Sequence, residues 1–392
     1  MSEITRWITE LEWESESARA PISVGDILLT IVGTIGRSAI VNTTSKFTIQ
    51  RSIALLKTIT VFNSFIKYSL DSSVVQNQLL NNAKGTAQLG IYLNKLKDIF
   101  IALPPLTEQV NIVDAIECLA DNISQIDDAY SELDEKISLA KSKLLDLAIR
   151  GKLLPQNKDD EPTSKLLERI RKEKESAQTT TKGKRKTADS YIFKGEDNLY
   201  YEQIGSEIKC IQDEIPFDIP NSWAWTRLGS VGTVFSGGTP STRNNDYWNG
   251  NIPWITPADL TDYNDMYISS GRKNISELGL KESSACYIPA GSVIYSSRAP
   301  IGYIVISKNE ITTNQGFKSI FPAIPEMNKY IYYVLKSLTP LIKKCASGTT
   351  FKEISASSFG NVLFPIPPIQ EQKRIVEYIS KANNQLDSML SE

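Results

Sequence analysis

The polar side chains of this sequence are suited to hydrogen bonding rather than to bond making. No histidine occurs among its 392 residues. That single absence removes Ser-His-Asp and Cys-His nucleophile systems, HExxH zinc sites and imidazole general bases. The cysteines Cys118, Cys210, Cys286 and Cys345 are scattered without a CxxC pair, which reads as free thiols in a reducing cytoplasm. No Gly-x-x-x-x-Gly-Lys-Ser/Thr loop is present to cradle a nucleotide. Phe235-Ser236-Gly237-Gly238 faintly resembles a cofactor glycine loop and reads more simply as a turn. What remains is recognition chemistry: guanidinium forks, amides and hydroxyls placed beside Gly-rich turns.

The elements that position these groups occur twice. Leu103-Pro104-Pro105-Leu106-Thr107-Glu108-Gln109 returns as Ile366-Pro367-Pro368-Ile369-Gln370-Glu371-Gln372. Upstream, Gly25-Asp26-Ile27-Leu28-Leu29-Thr30 aligns with Gly291-Ser292-Val293-Ile294-Tyr295-Ser296. Ile35-Gly36 aligns with Ile301-Gly302, Gln50 with Gln315 and Gly85-Thr86 with Gly348-Thr349. Even Ile8-Thr9-Glu10-Leu11 finds Ile275-Ser276-Glu277-Leu278, so the spacing holds over most of a module and indicates internal duplication. Within each copy, short apolar runs such as Ala39–Val41 and Tyr303–Ile306 are broken by Gly, Pro and Asn, which predicts strands and turns, with one or two short helices near Ile331–Lys344. Gly36 and Gly302 serve tight turns in this reading.

Each Pro-Pro pair opens a helix with heptad spacing. The first seam runs Ile112, Ile116, Leu119, Ile123, Ile126, Tyr130, Leu133, Ile137, Ala140, Leu144, Leu147, in alternating steps of four and three. Gly151 and Pro155 stop it. The second repeats the seam at Ile375, Ile379, Ala382, Leu386 and Met389 and is too short to stand alone, so it must pack on a partner, the first rod being the obvious one. Between the first rod and the second module, Glu161-Pro162-Thr163-Ser164 leads into a charged helix and then a basic stretch, Lys182-Gly183-Lys184-Arg185-Lys186. This connector reads as a solvated linker, with a phosphate-touching arm as the sharper alternative. The modules are mildly basic and the first rod acidic, which removes the objection to DNA binding raised by the net charge of −2.

At this point the sequence resembles the specificity (S) subunits of type I restriction–modification systems, over nearly its whole length. The resemblance rests on the paired Pro-Pro-x-x-Glu-Gln openings, on Ala148-Ile149-Arg150-Gly151-Lys152-Leu153-Leu154-Pro155-Gln156 with Asp160-Glu161-Pro162, and on Ile215-Pro216-Phe217-Asp218-Ile219-Pro220-Asn221-Ser222-Trp223. Ser236-Gly237-Gly238-Thr239-Pro240-Ser241, Tyr247-Trp248 and Ile252-Pro253-Trp254 complete it. The family implies an α+β fold, with two β-rich target-recognition domains joined by long heptad helices that pack as an antiparallel coiled coil. On this chain the parts fall at 1–105 (partial recognition domain), 106–155 (spacer helix), 156–215 (charged linker), 216–368 (recognition domain) and 369–392 (short spacer helix). Each domain would read one half of a split double-stranded DNA site. Modification (methyltransferase) subunits binding S-adenosylmethionine, and restriction subunits (translocase/nuclease) driven by ATP with Mg, would assemble on it. The chain itself would hold no cofactor or metal and catalyse nothing. The lack of an Asn/Asp-Pro-Pro-Tyr/Phe methylation motif agrees with this, because both Pro-Pro pairs follow Leu or Ile.

One departure stands out. The stretch Ile215–Tyr267 has no counterpart ahead of the first copy, so the first domain begins where the second is already about a third complete. This supports an alternative reading, a truncated or cassette S subunit that binds partners without reading a full site. A self-sufficient DNA-modifying enzyme and a coiled-coil adaptor without nucleic acid are the other rivals.

Base edges are read by Arg on guanine and by Asn or Gln on adenine, while Lys, Arg, Ser and Thr meet phosphates. The expected contacts in the second module are Thr239, Ser241 and Arg243, then Arg298, Asn314, Gln315 and Lys318, with Lys352 beside the Gly348-Thr349-Thr350 turn. In the first module they are Arg37, Gln50, Arg51, Lys84 and Thr86. For any single one of these, an ordinary surface or turn position is the commoner reading. Trp223, Trp225, Trp248 and Trp254 read as core residues rather than as stacking platforms.

Overall fold

The structure is a computed structural model describing residues 7–85, 89–179, 190–298, 300–347 and 352–390. It divides into two compact units, Met1–Ser131 and Glu132–Glu392. The fold is α+β, with β-rich regions linked by a long helix that crosses the unit boundary.

The first unit opens on α1 (Glu10–Arg19), whose start is fixed by a capping box between Thr9 and Glu12. Strands β1 (Ile27–Thr30), β2 (Ser38–Ile40) and β3 (Ile53–Leu56) form an antiparallel sheet in the order β2-β1-β3. Helices α2 (Asn63–Asp71), α3 (Ser73–Asn82) and the short α4 (Leu93–Leu96) follow. Ile27, Leu29, Ala54, Leu70, Val75, Leu79 and Ile91 make its core. Helix α5 (Leu106–Ile149) then begins in this unit and ends in the next.

In the second unit α6 (Thr163–Thr179) precedes a meander of β4 (Ser190–Lys194), β5 (Tyr200–Ile204) and β6 (Glu207–Cys210). Next come β7 (Ala224–Arg227), β8 (Gly232–Ser236), β9 (Trp248–Ile255), β10 (Tyr267–Ile268), β11 (Lys273–Ile275) and α7 (Glu277–Lys281). The chain continues through β12 (Val293–Ser296), β13 (Ile304–Ser307), β14 (Thr312–Thr313), β15 (Phe317–Pro322), α8 (Asn328–Lys344), α9 (Ala356–Gly360), β16 (Leu363–Ile366) and α10 (Ile369–Ser388). The main sheet runs β10-β13-β12-β15-β8, flanked by the ladders β11-β9-β14 and β16-β7.

The duplication is visible strand by strand. Ile27 faces Ile40 and Leu56, as Val293 faces Ile306 and Ile320. Gly36 (φ 90°) and Gly302 (φ 108°) hold the same turn, each donating its N–H to the carbonyl of Thr30 or Ser296; left-handed φ favours glycine here. Asn63 donates to the Gly25 carbonyl as Asn328 does to that of Gly291. Gln109 and Gln372 are both buried, and each returns its amide N–H to the carbonyl of the first proline of its Pro-Pro pair, Pro104 or Pro367. The invariant hinge is thus a helix start pinned by its own glutamine.

Two expectations need correction. Residues 156–215, read as a charged linker, are largely folded onto the second unit. Leu166 and Ile170 of α6 and Ile192 and Ile211 of the meander are buried in its main core. Arg227 clamps the meander through Glu202 (Nη2 to Oε2 2.5 Å) and Glu214 (2.8 Å). The apolar i, i+4 pair Leu166/Ile170 was masked by the charges around it. The basic arm Lys182–Lys186 lies outside the described residues.

The heptad seam also differs along its length. Ile137 is buried and Leu133, Leu144 and Leu147 are half-buried, as are Ile112 and Ile116, but Leu119, Ile123 and Ile126 are exposed. A 20-residue α10 spans about 30 Å at 1.5 Å per residue and cannot follow a 44-residue α5 to its far end. Where the two meet they run antiparallel, as pairs Gln156–Glu371 and Lys141–Asp387 show. There Ile375 and Ile379 are buried and Leu386 is half-buried, and α10 also packs on α8, through Tyr333 and Ser380. Embedding the end of α5 on several sides moves its most buried positions to Leu145, Ala148 and Ile149.

Candidate nucleic-acid interface

The second unit is braced where its sequence motifs meet. Glu371, 1% exposed, accepts the indole N–H of Trp223 at 3.0 Å and the amide of Gln156 at 2.8 Å. Ser222 donates to Gln156, Thr163 donates to the Ser222 carbonyl, and Arg374 grips Asp160 through two nitrogens at 2.9 and 2.5 Å. Four separate motifs therefore form one network around the buried Glu371 and Trp223, which accounts for their residue types. Burial raises the Glu371 carboxyl above its ordinary value, against the opposing pull of the Gln156 and Trp223 hydrogen bonds. A raised carboxyl favours folding at low pH, and that contribution fades as pH climbs through the folded-state value. Glu371→Gln is accordingly expected to gain stability relative to the native chain as pH rises from the usual carboxylate range toward neutrality. Melting curves of both proteins against pH check this, and a constant difference would contradict it.

Away from this brace, the predicted contacts of the second unit converge. The loop after β8 lies against the loop between β14 and β15: Gly238 donates to the Thr313 carbonyl at 2.9 Å, and Thr239 hydrogen-bonds Gln315. Gly237 has no room for a side chain, because a Cβ there would sit 2.0 Å from the Asn314 carbonyl oxygen. Two indoles hold the loop from beneath: Trp254 donates to the Gly238 carbonyl (2.9 Å) and Trp248 to that of Ser241 (3.2 Å), the rings meeting edge to face. Thr239, Ser241, Arg243 and Gln315 are left exposed. Asn314 is instead occupied in accepting the Gly316 N–H, which makes it a turn former.

Beside this loop pair lies a small charge cluster. Lys318 (8% side-chain exposure) and Arg298 (34%) flank Glu353 at 3.5 and 3.7 Å. Lys352 is exposed next to it. The carboxylate keeps two cations in place on a partly open surface, where an incoming phosphate would compete for them. Sequence reasoning missed Glu353 and the loop-clamping duty of Trp248 and Trp254. It also missed Lys273, whose ammonium lies 5.6 Å from the Trp248 ring, and the exposed Arg272 beside Asp259. Only the Trp248…Trp254 spacing near a Gly-rich loop hinted at any of these.

In the first unit Arg37, Gln50, Arg51 and Lys84 are all exposed around the end of β1, and Thr86 lies outside the described residues. The Arg37 N–H meets the Thr30 hydroxyl, the Ile31 N–H meets the Ser52 carbonyl, and Lys84 bridges to Gly90. The strand registers place Val32, Ala54 and Gly90 where the second unit has Arg298, Lys318 and Glu353. The charge cluster is therefore not duplicated.

A β-rich module leading into a helix that opens on a Pro-Pro pair is thus present in two unequal copies, the polar loop surface and charge cluster belonging to the second. Residues 14–133 and 220–390 match the model of the type I restriction modification DNA specificity domain, and the chain belongs to that family. It is 43% identical over 164 residues to the type I restriction enzyme MjaIX specificity subunit of Methanocaldococcus jannaschii, covering 41% of this chain and 38% of that protein. It is 33% identical over 172 residues to the EcoR124I/EcoR124II specificity subunit of Escherichia coli, 42% of each. The chain thus spans about 40% of the length of these relatives. In fold it is similar to the HsdS subunit from Thermoanaerobacter tengcongensis (TM-score 0.55, 19% identity, covering 94% of this chain and 75% of that one). A chain solved in work on assembly of the type I R-M system gives TM-score 0.61 at 19% identity, covering 94% of this chain and 77% of that one. Among the described residues no helix is long and apolar enough to cross a membrane.

Proposed function

We propose that this chain is a non-catalytic DNA-specificity subunit of a type I restriction–modification complex, with the second unit reading one part of the DNA site. The observation that carries this reading is the convergence of Thr239, Ser241, Arg243 and Gln315 beside the Arg298–Glu353–Lys318 cluster, from four separate stretches of chain. Exposed hydroxyls, an amide and a guanidinium supply base-edge and phosphate contacts; the cluster supplies phosphate binding. The spacer helices would position modification subunits, which bring S-adenosylmethionine, and restriction subunits, which bring ATP and Mg. A second reading, a cassette subunit that binds its partners yet does not read a full bipartite site alone, is favoured by one observation: Val32, Ala54 and Gly90 replace the charge cluster in the first unit.

The test is binding to duplex DNA across a salt series. Binding must weaken steeply with salt, and Arg298→Ala should weaken it at every sequence while reducing the salt slope by about one. Salt-independent binding, or an unchanged slope in the variant, would overturn the assignment.

A further inference from the structure

The turn between β14 and β15 is held by its own backbone. The Thr313 carbonyl accepts the Gly238 N–H at 2.9 Å, and the Asn314 carbonyl accepts that of Phe317 at 3.3 Å. Lys318 Nζ donates to the Gln315 carbonyl at 3.2 Å, and the Ser297 N–H donates to the Gly316 carbonyl at 2.7 Å. Successive carbonyls are thus tied to different parts of the unit. The Asn314 N–H is taken by the Ile255 carbonyl, and the Gly316 N–H by the Asn314 side chain. From this fixed turn, among residues 313–317, Gln315 alone stands exposed.

Its side chain is oriented as well. Thr239 donates its hydroxyl to Gln315 Oε1. Thr239 is itself pinned, because the carbonyls of Gly238 before it and Ser241 after it accept the indole N–H groups of Trp254 and Trp248. Gln315 Nε2 makes no hydrogen bond among the described residues, and Oε1 keeps a second lone pair. The amide therefore presents a donor and an acceptor side by side, in an orientation set before any ligand arrives. That pair complements adenine, which offers N7 as acceptor beside the N6 donor in the major groove; guanine offers two acceptors there. Arg243, on the facing loop, has no such tie, since its guanidinium makes no hydrogen bond or ion pair among the described residues.

We propose that Gln315 reads an adenine in the part of the DNA site met by the second unit, and that Thr239 is its positioning residue. The assignment rests on the DNA-reading role proposed above. The first unit supplies a contrast. Ile53 faces Thr30 as Phe317 faces Ser296, and the Ile31 N–H meets the Ser52 carbonyl as that of Ser297 meets Gly316. By this register Arg51, rather than Gln50, holds the place of Gln315. Arg51 is exposed and its side chain makes no hydrogen bond among the described residues. The same turn thus carries an adenine-type amide in one copy and a guanine-type fork in the other.

The experiment selects bound sequences from a random duplex DNA pool with the full-length chain and its variants, at one salt concentration. The native chain is expected to enrich a motif with adenine at a fixed position. Gln315→Ala should reduce the preference for adenine at that position about tenfold and leave the other positions as they were. Gln315→Arg should move the preference there to guanine. Thr239→Val, which keeps the shape but cannot donate, should weaken the adenine preference about threefold by freeing the amide, and Thr239→Ser should restore it. An adenine preference that survives Gln315→Ala, or a loss spread evenly over the motif, would overturn the reading of Gln315. A Thr239→Val motif identical to the native one would overturn the positioning role. No enriched motif with the native chain would overturn the underlying DNA-reading role, and this assignment with it.

Discussion

Trp223→Ala is expected to destabilise the second unit by about 4 kcal/mol, within the range for removing a buried tryptophan. The indole is buried in the main core and its N–H is one of two donors holding the buried Glu371 carboxylate. Truncation therefore opens a cavity and strips a partner from a group that water cannot reach, two costs acting at one point. For a unit of this size that corresponds to a fall in melting temperature of roughly 8–16 °C. Calorimetry on the full chain checks it. Trp223→Phe, which fills most of the space but cannot donate, should lose about half as much; no loss in this variant would mean that the Glu371 contact contributes nothing.

The second large effect concerns the interface. Gly237→Val is expected to lower DNA affinity on the order of a hundredfold, the worth of about two displaced base contacts. A Cβ at this position would lie 2.0 Å from the Asn314 carbonyl and 2.3 Å from Thr313 Oγ1, so backbone must move. The loop carrying Thr239, Ser241 and Arg243 would then part from Gln315, while the network around Glu371 would be untouched. Gly205→Ala is the control: its φ of +61° makes it strained, but nothing lies within 4 Å of the added carbon. That variant should cost about 1 kcal/mol of stability and leave DNA binding unchanged. Equal binding losses in both would attribute the effect to general destabilisation.

How far the sequence discloses this molecule depends on which interactions are local. The heptad steps and the doubled Pro-Pro-x-x-Glu-Gln block announce the helices because periodicity and capping are short-range properties. The tryptophans read correctly as core, Trp223, Trp225 and Trp254 being buried and Trp248 half-buried. The fold of 190–210 was hidden because its burial depends on Arg227, far away in the sequence, pairing with Glu202 and Glu214. Glu353 escaped notice for the same reason: its partners Arg298 and Lys318 come from other strands. Asn314 has the right chemistry for adenine, but its side chain closes its own turn, a choice that residue type alone cannot reveal. The seam at Leu119, Ile123 and Ile126 is periodic yet exposed, since periodicity shows that a face can be covered and not how much of it is.

On the proposed function, this chain directs a modifying complex to DNA through the second unit's loop surface. Its most direct test is co-expression with a cognate modification subunit, followed by mapping of methylated adenines across a genome. The claim predicts methylation at one recurrent motif, with recognition of part of that motif lost on Gly237→Val while the complex still assembles. An assembled complex that methylates nothing, or a motif indifferent to Gly237→Val, would contradict it.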